Sequence, residues 1–121
     1  MKITEDFYSF EIPERWANLV GAIKKKSRVD IVLLWEADTG CSGILVSLKC
    51  LKHKIKKPDE YTELLGILNS EAGDRRFLYA SYGREGAVSE GNEDLYWRLR
   101  DQLWMIFDSI NPADGYNWQC N

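Results

Sequence analysis

The chain has 121 residues, 45% hydrophobic and 12% aromatic, with a formal net charge of −3. That is enough to bury one sizeable core and too little for two ordinary domains. Its longest apolar runs, such as Ile31 to Trp35, fall far short of the roughly 18 residues that cross a bilayer as a helix, so a transmembrane segment is not expected.

The opening residues, Met1 to Phe10, lack the apolar stretch of a signal peptide. The expectation is a soluble, cytoplasmic protein, although a secreted domain with its leader removed would read the same way. Three cysteines, Cys41, Cys50 and Cys120, cannot all pair within one chain, and with a single histidine they offer no metal framework. Reduced thiols are expected, with Cys50 buried and Cys120 exposed.

In the first element, Tyr8, Phe10 and Ile12 alternate with Ser9 and Glu11, the period of a strand with one buried face, and Pro13 ends it. Its aromatic residues read as core, with Trp16 packed over the strand end. Residues 18–26 are ambiguous: Trp16, Leu19, Val20 and Ile23 fit a helical stripe, while Leu19, Gly21 and Ile23 fit a strand. Two strong strands follow, Val29 to Ala37 with Val29, Ile31, Leu33, Trp35 and Ala37 on one face, and Gly43 to Lys52 with Ile44, Val46, Leu48 and Cys50 on one face. The turn between them makes an antiparallel hairpin. A second hairpin is expected from Leu64–Leu68 and Arg76–Tyr82 around the turn at 70–74.

A helix is expected from Asn92, its N-cap, to Ile110, with Glu93 and Asp94 in the first turn and Asn111–Pro112 as the stop. Its inner face would be Leu95, Leu99, Leu103, Ile106 and Ile110. Residues 113–121 read as an irregular tail. The fold class expected is α+β: a single domain spanning residues 1–121, with an antiparallel meander sheet and a long carboxyl-terminal helix packed across one face.

This layout, with a first strand ending in Glu11-Ile12-Pro13-Glu14-Arg15-Trp16 and a last helix ending in Phe107-Asp108-Ser109-Ile110, resembles the PsbP/Mog-like α/β fold and its small bacterial members. The resemblance implies that Asn18 to Lys26 form a strand and that the helix lies across the sheet. It also implies a binding or assembly module without a shared catalytic motif, so it assigns no functional residue. The bacterial members usually carry a signal peptide, which is not evident here.

For chemistry, Asp38-Thr39-Gly40 matches the core of the aspartic protease motif, which needs two carboxylates close enough to share a proton. The supporting apolar-apolar-Gly element is misplaced, because Leu64-Leu65-Gly66 sits in an expected strand, and a plain hairpin turn explains the motif better. His53 would have to serve any histidine-based scheme, but its spacing from Cys50 puts the two on opposite strand faces. No catalytic residue, metal ligand or cofactor site is assigned.

Charge is more informative. Between Lys24 and Lys57 lie nine basic residues and three acidic ones, whereas the rest of the chain has seven basic and sixteen acidic. An antiparallel hairpin brings Lys24, Lys25, Lys26 and Arg28 beside Lys52, Lys54, Lys56 and Lys57 at one pole, a candidate anion-binding surface for a polyanion. On the helix, Trp97 and Trp104 fall away from the apolar stripe, near Arg100 and Asp108. Either the tail with Tyr116 and Trp118 covers them, or the four form a candidate partner surface of hot-spot composition. The leading expectation is a non-catalytic protein-recognition module, an inhibitor or immunity-type partner. Polyanion binding is the alternative, and an enzyme of unknown type ranks third.

Overall fold

The computed structural model describes residues 1–84 and 86–121. Among them are nine strands: β1 (Lys2–Thr4), β2 (Tyr8–Glu11), β3 (Val20–Lys25), β4 (Arg28–Leu33), β5 (Ile44–Leu51), β6 (Thr62–Ser70), β7 (Arg75–Tyr82), β8 (Asn111–Pro112) and β9 (Tyr116–Cys120). They build two antiparallel sheets, ordered β1-β2-β8 and β3-β4-β5-β7-β6-β9. Tyr8 and Phe10 from the small sheet, Ile12 just after β2, and Val29, Ile31, Leu33, Val46, Leu48, Leu68, Leu78 and Ala80 from the large sheet share a single core. The alternation of β2 therefore does what the period of two requires, and Trp16, 2% exposed, packs against it from a 3-10 turn after Pro13.

The ambiguous stretch is a strand. Val20 pairs with Leu33 and Lys25 with Arg28, so Val20 faces the core and Ile23 lies exposed on the other face.

The expectation of one sheet with a long helix across it is corrected. The helical segment is short and broken into α1 (Glu93–Asp101) and α2 (Trp104–Asp108). At the break, Gln102 N and Leu103 N donate three residues back, to Leu99 O (3.0 Å) and Arg100 O (3.2 Å), a tighter turn than the α-helix. The two halves serve different sheets: Tyr96 Oη donates to Ile44 O of β5 at 2.7 Å, and just after α2 Ser109 Oγ accepts from Glu11 N of β2 at 2.8 Å. Asn111 and Pro112 then pair with Ser9 and Tyr8, so the expected helix stop is a short strand. No helix is long and apolar enough to cross a membrane among the described residues.

The meander is corrected too. β5 pairs with β7 rather than β6, and the polar connection after β5 crosses β7, with Ile55 N donating to Tyr79 Oη at 2.8 Å. The tail is not irregular. It forms β9 on the free edge of β6, with Leu68 opposite Trp118 and Ser70 opposite Tyr116. Gly66 makes the docking possible: a Cβ there would lie 2.5 Å from the Trp118 ring and 2.5 Å from Gln119 O, so only a glycine admits the indole and the strand together.

Candidate functional site

Trp97, Asp101, Trp104 and Asp108 are all exposed and follow one another at steps of four, three and four. That spacing places them along one side of a helix, so the segment presents an outward stripe of two indoles alternating with two carboxylates. Glu93 and Asp94 add negative charge at its start. Trp97 is 51% and Trp104 58% exposed, and the tail runs on β6 with Trp118 packed at Gly66. Intramolecular cover by the tail is thereby ruled out.

Arg100 belongs to the support of this surface. Its Nη1 donates to Gly83 O at 2.8 Å, and its guanidinium carbon lies 4.7 Å from the Trp97 ring centroid and 5.2 Å from that of Tyr82. A cation held between two rings stiffens Trp97 in its exposed position. The sequence singles out Trp97, Arg100, Trp104 and Asp108 as candidates and leaves out Asp101, which the same spacing would have supplied.

The lysine pole is only partly assembled. Lys24, Lys25, Lys26 and Arg28 sit at the β3–β4 turn, and Arg28 pairs with Lys49 across β5. Lys24 Nζ donates to Thr4 O at 2.8 Å and lies 3.3 Å from Glu5; Lys25 lies 3.5 Å from the buried Asp30. Arg28 Nε is 3.0 Å from Asp30 Oδ1 but lacks the alignment of a hydrogen bond. Asp30 also accepts from Ser47 Oγ at 2.7 Å. Three of the eight candidate cations are thus matched to carboxylates. Lys52 is near the tip, while Lys54, Lys56 and Lys57 travel with the connection across β7.

Asp38-Thr39-Gly40 is a turn, and the most strongly bonded carboxylate is two residues earlier, at Glu36. The strand expected to reach Ala37 stops at Leu33, and Leu34–Glu36 form a 3-10 turn. Trp35, expected in the core, is 56% exposed, and Glu36, 1% exposed, takes the inward position. Its carboxylate accepts from Thr39 Oγ1 (2.7 Å), Ser89 N (3.0 Å), Ser89 Oγ (2.6 Å) and Asn92 Nδ2 (2.5 Å). Burial pushes the Glu36 carboxyl up, but the donors from Ser89, Asn92 and Thr39 outweigh it and hold the group down at about 2. The Asn92 side chain is therefore spent on Glu36 and makes no cap bond to α1. This knot ties the β4–β5 connection to the start of the helical stripe.

Cys50 is half-buried and Cys120 exposed, and no disulfide forms among Cys41, Cys50 and Cys120. His53 is exposed. No cluster of three metal-ligating side chains occurs among the described residues. The chain matches no protein-family model, and searches of curated proteins and of solved structures return no significant match.

Proposed function

We propose that this protein is a protein-recognition module of the inhibitor or immunity type, whose contact surface is the Trp97, Asp101, Trp104, Asp108 stripe. One observation carries the reading: two large indoles stay exposed on a helical segment whose other side is core, beside an arginine fixed by its own bonds. Trp and Arg dominate binding hot spots because they bury large areas at low entropic cost. The alternating carboxylates select a partner with an apolar pocket rimmed by basic side chains. Polyanion binding ranks second, supported by Lys26, Lys52, Lys54, Lys56 and Lys57, which have no ion-pair partner among the described residues.

The two readings separate in one experiment. Immobilised wild type, Asp101→Lys, Trp104→Ala and the Lys54→Gln/Lys56→Gln pair are each exposed to lysate of the source cell and to heparin. The stripe reading expects one protein to be retained by wild type and the lysine variant and lost from the two stripe variants. Retention that survives both stripe changes would overturn it; steeply salt-dependent heparin binding lost only with the lysines would favour the second reading.

A further inference from the structure

A cleft of about 370 Å³ opens between the two sheets at the pole. Four segments far apart in sequence build it: Glu5, Asp6, Phe7 and Tyr8 from the end of the β1–β2 turn and the start of β2, Lys25 to Ser27 from the β3–β4 turn, Cys50 from β5 and Arg76 from β7. Its walls carry both charges, carboxylates on one turn and ammonium groups on the other.

Several of these groups are held in place by neighbours. Glu5 is paired with Lys24, Arg76 Nε lies 3.2 Å from Asp74 Oδ2, and the Arg76 guanidinium sits 4.4 Å from the Phe7 ring centroid. Asp6 and Lys26 have no ion-pair partner among the described residues. Beneath them is Tyr8, only 2% exposed, whose hydroxyl makes no hydrogen bond among the described residues. Burial, then the nearby Cys50 and Glu5, push its ionisation well above the usual tyrosine range, so it stays a neutral phenol able to donate and accept. The hydroxyl itself is not sealed off: it lines the cleft, where a ligand or an ordered water can reach it.

We propose that this cleft binds a small zwitterion of the α-amino acid class, with its ammonium group toward Asp6 and Glu5, its carboxylate toward Lys26 and Arg76, and a polar atom on the Tyr8 hydroxyl. The opposed charges carry the choice. A simple anion entering the cleft would meet the unpaired Asp6, and a simple amine would meet the unpaired Lys26, whereas a zwitterion satisfies both walls. The volume suits one such molecule. Cys50 is a bystander: burial raises its thiol to about 11, so it is protonated and unreactive at neutral pH. The proposal rests on other residues than the helical stripe and stands or falls separately from it.

The test is an amide NMR titration of the intact chain with each of the common amino acids, and with acetate, phosphate and methylammonium, up to about 10 mM, a range that detects weak millimolar binding. At least one amino acid should shift the amides of Tyr8, Ser27 and Cys50, with the single-charge probes binding about tenfold more weakly or not at all. Tyr8→Phe keeps the ring and removes the hydroxyl, and Asp6→Asn and Lys26→Gln alter exposed side chains that the fold does not need. Each should weaken binding by about tenfold, the usual effect of losing a hydrogen bond to a charged group. No response to any amino acid, equal binding of acetate or phosphate, or unchanged affinity in Asp6→Asn and Lys26→Gln overturns the proposal.

Discussion

Changing Trp97 or Trp104 to alanine tests the stripe from the stability side. Exposures of 51% and 58% leave about half of the Trp97 side chain and about two-fifths of Trp104 against the protein. With roughly 200 Å² at stake for a tryptophan, that is ~100 and ~80 Å², or at most ~2.5 and ~2 kcal/mol at ~25 cal/mol per Å². Alanine keeps the Cβ contact, and a compact denatured state lowers such figures further. The expected losses are therefore about 1–2 kcal/mol each, with Trp97 at the upper end because it also loses the Arg100 cation. Trp16→Ala supplies the internal standard, since Trp16 is in the core and its truncation should cost about 3–5 kcal/mol. Urea unfolding followed by far-ultraviolet circular dichroism reads all three on one scale, provided the slopes agree. A loss at Trp97 or Trp104 equal to that at Trp16 would show that these indoles hold the fold together, and would refute the assignment of the stripe to a partner.

Two further perturbations probe how the surface is built. Glu36→Gln should lower Tm at neutral pH by about 10 °C, because an amide cannot accept from the donors of Thr39, Ser89 and Asn92 as a carboxylate does. The folded-state Glu36 lies at about 2, below its ordinary 4.5, so the unfolded chain binds the proton first and this stabilisation is lost as pH falls from about 4.5 toward 2. Melts across that window should be flatter for Glu36→Gln than for wild type; parallel curves would show that Glu36 contributes nothing to the acid limb. Gly66→Ala should displace β9, since its Cβ meets both the Trp118 ring and Gln119 O at 2.5 Å. Hydrogen exchange should then speed up at Asn117 to Cys120 while Val29 to Leu33 stay protected, and unchanged protection of β9 would mean that the tail docks without the glycine.

Much of the strand content was legible because a half-buried strand writes its geometry into alternate residues. Tyr8, Phe10 and Ile12, and again Val29, Ile31 and Leu33, alternate and are buried as that period requires. β1 and β8, with three and two residues, are too short to carry a period. β3 was ambiguous because Leu19 and Ile23 satisfy both templates, and only its register against β4 decides, burying Val20 and leaving Ile23 outside. The strand order was hidden as well. A meander and a crossover have the same element sequence, and the ten-residue connection at 52–61 is long enough to pass over one strand.

The helix misled for a related reason. Leu95, Leu99, Leu103 and Ile106 keep helical spacing through the break, so the pattern does not register a tightened turn at Gln102 that lets the two halves face different sheets. The stripe survived that error because steps of four, three and four keep Trp97 and Trp104 on one side whether or not a single turn is tighter.

Trp35 shows where hydrophobic pattern fails as a guide to facing. A continued strand after Leu33 would place Trp35 inward and Glu36 in water, which is the better choice if apolar area is the only term. The chain turns at Leu34 instead and reverses both residues. What decides it is a set of donors some fifty residues away, on Ser89 and Asn92, that a lone carboxylate can satisfy. The same choice fixes the residue just before α1, because Asn92 is held by Glu36 rather than by its own helix. An exposed Trp35 is thus a by-product of anchoring the stripe, whereas among the described residues no hydrogen bond of its side chain holds Trp104 outward. On that ground the helical stripe is a better candidate for a partner surface than the apolar residues at Ile23, Leu34 and Trp35, though both are exposed.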